Sequence, residues 1–132
     1  MPLTQAQPDL EASETAIRLP ATEVVARLSA LLGARLVAYL SGVKDARAVK
    51  EWASGRPIKN PVVVPRLRNA LRIAIFLSNH DGPETVQAWF QGLNPNLDDR
   101  VPLEVLRDAE DREKPSQEVL AVVAAARVFA AR

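Results

Sequence analysis

The sequence predicts an all-α protein, and three observations support this fold class. Apolar residues recur at steps of three and four along most of the 132-residue chain, as on one face of an α-helix. Glycines and prolines fall between these periodic segments, where helices begin and end. Strand-like alternation is missing, since the β-branched run at 62–64 is short and lies between two prolines. The length suits one domain or two very small ones.

The N-terminal segment, residues 1–20, is polar and contains Pro2 and Pro8. It shows no sustained period, so we predict a flexible N-terminal arm. The segment also lacks the apolar run of a signal peptide. Nowhere does the chain reach the ~18 uncharged apolar residues of a membrane span. The absence of cysteine fits a reducing compartment, and we therefore expect a cytoplasmic protein.

Three short helices are predicted within residues 21–60, with Gly33 and Gly42 between them. They cover about 22–32, 35–40 and 46–54. This length and punctuation are typical of a helix-turn-helix, whose last helix packs on the first two and offers its other side to the DNA major groove.

The third of these helices is predicted to have two unlike sides. Asp45 is its expected N-cap. Val49, Trp52 and Ala53 are spaced to face inward, which makes Trp52 a core aromatic. The opposite side carries cations that reach phosphates or guanine edges. The candidate DNA-binding residues are Arg35, Lys44, Arg47, Lys50, Arg56 and Lys59. The alternative is an ordinary solvated helix face.

Residues 61–132 are predicted to form a second, helical domain. Helices are expected from 62 or 65 to 78, over 83–91, over 102–109 and over 116–130. A turn-rich stretch covers 92–100, and a charged loop covers 108–114. Trp89 and Phe90 are predicted core residues, whereas Phe129 is either a core residue or an anchor inserted into a partner.

Charge is distributed unevenly along the chain, although the formal net charge is only +1. Residues 27–72 hold ten Lys and Arg against two Asp and Glu, a net charge of +8. Residues 73–132 hold six bases against ten acids, a net charge of −4. The basic segment suits a polyanion, and the acidic half suits a protein partner better than DNA.

Catalytic signatures are missing from the sequence. It has no cysteine, no P-loop and no GxGxxG motif, and His80 is its only histidine, in a predicted surface turn. We therefore expect a protein that is not an enzyme and that needs no cofactor or catalytic metal.

Two sets of motifs resemble the Xre/MbcA/ParS antitoxin family. LLGARLVAYL at 31–40 and VKEWASG at 49–55 are similar to its Xre-like helix-turn-helix. AWF at 88–90, NPNL at 94–97 and PLEVL at 102–106 are similar to its toxin-binding domain. The resemblance covers roughly residues 22–130. Asp98 and Asp99 stand where many members have glycines, and Arg127 stands where a glycine is frequent.

The resemblance implies the antitoxin of a bacterial type II toxin–antitoxin system. Such a protein binds and blocks a RES-domain toxin that consumes NAD, and it represses its own operon through operator DNA, often as a homodimer. A toxin–antitoxin hetero-oligomer is expected, with the NAD chemistry in the toxin. The implied toxin-binding residues are Arg127, Val128, Phe129 and Arg132. Two alternatives remain, a stand-alone helix-turn-helix regulator and an adaptor whose basic face binds an acidic protein.

Overall fold

The computed structural model of the protein describes residues 3–109 and 116–132. These residues form eight α-helices joined by short connections, which confirms the predicted all-α class for this part of the chain. The helices are α1 (Leu3–Arg18), α2 (Ala21–Leu32), α3 (Ala34–Ser41), α4 (Ala46–Ala53), α5 (Val63–Ser78), α6 (Pro83–Gln91), α7 (Pro102–Asp108) and α8 (Gln117–Ala130), with a 3-10 turn at Pro95–Leu97. From residue 110 onward, the predicted charged loop lies outside the described residues. Along the described chain, no helix is long and apolar enough to span a membrane.

Within the segment predicted as a flexible arm over 1–20, residues Leu3–Arg18 form helix α1 instead. Helix α1 packs along α5, and the side chains of Ala12 and Ala16 are buried there. Two alanines four residues apart form a small contact face on one side of a helix. The sequence period does not reveal this face, because small alanines among polar residues give a weak apolar signal.

Helix α5 is the centre of the fold. It contacts α1, α2, α3, α6, α7 and α8, and buried side chains project from several of its sides. They are Val63, Leu67, Ala70, Leu71, Ile73, Ala74, Phe76 and Leu77. A helix that is apolar on most of its circumference is stable only when other elements surround it. The segments 21–60 and 61–132 therefore pack around one shared hydrophobic cluster.

Side chains from α5 and α6 hydrogen-bond to the carbonyl ends of three other helices. Arg68 donates to the carbonyl oxygens of Ala16 (2.7 Å) and Leu19 (2.5 Å) at the end of α1. Arg66 donates to the Leu40 carbonyl at the end of α3 (2.8 Å), and Gln87 donates to the Leu31 carbonyl at the end of α2 (3.1 Å). The last carbonyls of a helix lack partners within the helix, so these bonds satisfy them and fix three helices to the centre.

The environment of Arg66 is cationic and partly buried. Burial lowers the pKa of its guanidinium, and the positive charge of Arg107 lowers it further, whereas Asp108 acts in the opposite direction. Placing the charged guanidinium of Arg66 in this partly buried position costs hydration free energy. The hydrogen bond to the Leu40 carbonyl offsets part of that cost.

Two helix starts agree with the sequence prediction. The Asp45 carboxylate accepts a hydrogen bond from the backbone N–H of Arg47 (2.8 Å) and caps α4. The Ser116 hydroxyl accepts from the backbone N–H of Val119 (3.3 Å) and caps α8. Gly42 ends α3 in the left-handed region, at a φ of 76°. Such local signals place α4 and α8 within a residue or two of their predicted ranges.

We expect Arg68→Met to lower the free energy of unfolding by about 2 kcal/mol, because the carbonyls of α1 lose a charged donor. Urea denaturation measures this change, and amide hydrogen exchange should quicken first in α1. The matched control is Arg18→Met, which removes only an exposed ion pair with Glu14 and should cost less than about 0.5 kcal/mol. Equal losses in the two variants would contradict this role of Arg68.

Candidate functional site

Helix α4 has the two unlike sides that the sequence predicts. Val49 and Trp52 are buried against the rest of the molecule, and Ala53 is half-buried. Arg47, Lys50 and Ser54 are exposed. Because the apolar side is fixed by packing on α2 and α3, the cations of α4 necessarily point into solvent.

The six predicted DNA-binding residues are all exposed, but the structure groups only some of them. Arg47, Lys50 and Arg56 line one open depression beside α4. Arg35, at the start of α3, shares a second groove with Lys50. Lys44 precedes α4, and Lys59 lies in the segment between α4 and α5. These two exposed lysines flank the depression without lining it.

Two acidic residues reduce the positive charge of this depression. The Glu51 carboxylate forms an ion pair with the Arg56 guanidinium, so Arg56 is already partly neutralised. The Asp45 carboxylate is also present and is occupied by the backbone of α4. Arg47 and Lys50 form no ion pair with any described residue and are the cations most available to an anionic ligand.

The basic segment is less exposed than its charge count indicates. Arg66 and Arg68 contribute two of its ten bases, but their guanidinium groups are bonded to carbonyls within the fold. The signal for this role is local. Both arginines belong to a helix that is apolar on most sides. Their long side chains extend along the apolar surface until the guanidinium groups reach carbonyl oxygens at the ends of neighbouring helices.

A groove of about 770 Å³ lies between the helices of the N-terminal half and those of the C-terminal half. Arg35 and Lys50 line it together with Tyr39, Gln87 and Glu104. The guanidinium of Arg107 stacks over the Tyr39 ring at 4.5 Å. The groove is lined by polar and apolar groups from both halves of the chain. It lies between the basic face of α4 and the rest of the molecule.

A third groove, of about 500 Å³, lies near the C-terminus between α6, the turn that follows it and α8. Its walls include Trp89, Leu93, Val128, Phe129 and Arg132. Leu93 is 73% exposed and Val128 is 56% exposed, which is high for large apolar side chains. Exposed apolar groups that line one groove are typical of a surface that another molecule covers. We call this feature the C-terminal groove.

A tight turn built on Asn94 positions Leu93 and Pro95 on one wall of the C-terminal groove. Asn94 is buried, and its side-chain oxygen accepts a hydrogen bond from the backbone N–H of Asn96 (2.9 Å). Asp98 and Asp99 close the turn in the left-handed region, at φ values of 55° and 60°. Aspartate tolerates this region better than most residues, so the turn forms without the glycines that are frequent here in the resembling family.

The other wall of the C-terminal groove is held by an ion pair that spans 51 positions of the chain. The Nη2 and Nη1 atoms of Arg132 donate to the two carboxylate oxygens of Asp81, at 2.8 and 3.2 Å. The same guanidinium lies 3.8 Å from the centre of the Phe129 ring, and that ring packs against Trp89 at 6.3 Å between centroids. The hydrogen bond lowers the pKa of Asp81 and raises that of Arg132.

Three of the four predicted toxin-binding residues come together in the C-terminal groove. Val128, Phe129 and Arg132 line it, whereas Arg127 is exposed on α8 outside the lining. Phe129 is half-buried, so it packs on the core and is still accessible from the groove, and the choice between a core residue and a partner anchor stays a prediction. Leu93 and Asp81 were not predicted, although both shape this site.

Comparisons of the chain with protein-family models, with curated proteins and with solved structures give no significant match. The assignment of a function therefore depends on the geometry and chemistry of the two surfaces and on the motif resemblance.

The Asp81–Arg132 ion pair should stabilise the protein at neutral pH and stop doing so in acid. The folded-state pKa of Asp81 lies below its ordinary value of 3.8. The stabilisation is therefore complete above that value and is lost as the pH falls through the folded-state pKa. We expect Asp81→Asn to melt at a lower temperature than the wild type at pH 7, and the two melting temperatures to converge as the pH falls below 3.8. A difference that persists unchanged to low pH would contradict this account.

Proposed function

We propose that the protein is the antitoxin of a bacterial type II toxin–antitoxin system. It binds and blocks a RES-domain toxin through the C-terminal groove, and it represses its own operon by placing α4 in the major groove of operator DNA. The observation that carries the proposal is the presence of two separate surfaces of unlike character on one core. One is the cationic face of α4, and the other is the largely apolar C-terminal groove.

The DNA-binding role is supported by the arrangement of α2, α3 and α4. These helices contact one another, and α4 keeps its apolar side inward while Arg47 and Lys50 face solvent. In helix-turn-helix proteins, the helix in this position enters the major groove. Arginine and lysine there contact phosphates or the O6 and N7 atoms of guanine. Binding to two half-sites would require a homodimer, which is part of the proposal.

The toxin-binding role is supported by the exposed apolar side chains of the C-terminal groove. Leu93 and Val128 remain largely exposed in the isolated chain, and burying them against a partner would contribute favourably to binding. An antitoxin needs such a surface for its toxin, and for this reason the groove favours the antitoxin over a stand-alone regulator. The identity of the toxin as a RES-domain protein comes from the motif resemblance, and the NAD chemistry belongs to the toxin.

We expect the double variant Arg47→Ala, Lys50→Ala to weaken binding to the promoter DNA of its own operon. If each side chain neutralises one phosphate, the slope of log K against log salt should fall by about 1.8. Fluorescence anisotropy at several salt concentrations measures the slope.

The matched control is Arg18→Ala with Arg127→Ala, which removes two exposed cations from α1 and α8. Its slope should equal that of the wild type. An unchanged slope in the α4 variant would exclude α4 as the DNA-contacting helix.

We expect Leu93→Asp and Val128→Asp each to weaken toxin neutralisation at least tenfold, because the apolar contact with the toxin is lost and the new carboxylate loses hydration there. Both side chains are exposed in the isolated chain, so its melting temperature should change little. The assay measures NAD consumption by the RES-domain product of the neighbouring gene while the antitoxin is titrated.

Leu120→Asp is the matched control. Leu120 is a half-exposed apolar residue of α8, as Val128 is, but it does not line the C-terminal groove. It should neutralise the toxin as the wild type does. Full protection by both groove variants would remove the C-terminal groove from the mechanism.

A further inference from the structure

The guanidinium of Arg132 has two hydrogen-bonding edges, and Asp81 occupies one of them. A guanidinium group carries five N–H donors in a plane, arranged along two edges that each match a carboxylate. The Nη1–Nη2 edge is taken by Asp81. Nη1 donates its remaining hydrogen to the carbonyl oxygen of Phe129, at 2.9 Å. The Nε–Nη2 edge, with two parallel N–H donors, makes no hydrogen bond to any described residue.

The position of Arg132 is fixed by three contacts. Asp81 holds one edge, the Phe129 carbonyl holds Nη1, and the Phe129 ring supports the flat face of the guanidinium. A side chain that is held in this way loses little further conformational freedom when it binds. Half of its side-chain surface remains exposed (50%), whereas that of Asp81 is 15% exposed.

Apolar surface lies directly beside this cation. Arg132 lines the C-terminal groove with Phe129, Val128 and Leu93, and the last two are large apolar side chains that are exposed. A ligand in the C-terminal groove therefore meets an apolar wall and a pair of N–H donors within the same site.

We propose that the C-terminal groove binds a segment of a partner protein in which an apolar side chain lies next to a carboxylate. The apolar side chain packs on Leu93, Val128 and Phe129, and the carboxylate takes the Nε–Nη2 edge of Arg132. Asp81 does not line the groove, and it serves as a positioning residue that presents this edge. The inference deepens the proposed function by naming the chemistry that the toxin must offer, and it rests on that function only for the toxin's identity.

The test uses small probes with the full chain and needs no toxin. The probes are 4-phenylbutyrate, its neutral analogue 4-phenylbutyramide, and acetate, which has the carboxylate without the apolar part. Binding is followed by the NMR signal of the Trp89 indole N–H, since Trp89 lines the groove. We expect 4-phenylbutyrate to bind about tenfold more tightly than the amide, as a charge-assisted bidentate pair requires, and acetate to bind more weakly than either.

Arg132→Gln should abolish the preference for the carboxylate, so that the acid and the amide bind with equal affinity. The matched control is Arg127→Gln, an exposed arginine near the end of α8 that does not line the groove, which should keep the preference. Equal binding of acid and amide to the wild type, or no binding of either at millimolar concentration, would overturn the inference. So would self-association of the chain that Arg132→Gln abolishes, because the occupant would then be a second copy.

The outcomes separate this inference from the proposed function. A chain that neutralises the toxin but shows no preference for the carboxylate contradicts the groove chemistry alone. A chain that prefers the carboxylate but neither binds nor protects against the RES-domain product contradicts the proposed toxin alone.

Discussion

The carbonyl ends of helices must find hydrogen-bond donors, and in this fold the central helices supply them. Arg68 and Arg66 from α5 and Gln87 from α6 bond to the ends of α1, α3 and α2. Each bond joins residues far apart in sequence and sets where a surrounding helix ends against the core. The positions of α2 and α3 then determine how α4 packs, and thus which of its side chains face solvent.

The same arrangement connects the two candidate surfaces. Helix α6 holds the end of α2 through Gln87, while Trp89, two residues further on and on the other side of the same helix, forms a wall of the C-terminal groove. A shared core of this kind lets a cationic face and a largely apolar groove occupy one small chain. Their unlike character follows from local composition, since cations point outward from α4 and apolar groups surround the turn after α6.

Local signals made much of the fold predictable. Asp45 and Ser116 mark helix starts, Gly42 marks a helix end, and the inward side of α4 follows from Val49 and Trp52. These features depend on neighbours within a few residues, which is the range over which capping and periodicity act. The all-α class and the grouping of Arg47 with Lys50 on one side of α4 follow from the same rules.

Long-range contacts were not predictable from the chain. The residues of α1 were expected to form a flexible arm because its buried face consists of alanines. The carbonyl of Ala16 in α1 accepts a hydrogen bond from Arg68, 52 positions away. The pairing of Asp81 with Arg132 joins two residues that no sequence pattern connects. Charge counting likewise treats Arg66 and Arg68 as available to DNA, whereas the fold uses them to bind carbonyls.

The central claim is that one chain binds DNA and a toxin through separate surfaces at the same time. Native mass spectrometry of the protein mixed with its promoter DNA and the product of the neighbouring gene, which the proposal expects to be the toxin, at equal amounts of toxin and antitoxin, tests it most directly. The account predicts a complex that contains all three components. Binding of neither ligand, or complexes in which the DNA and the toxin always exclude each other, would contradict it.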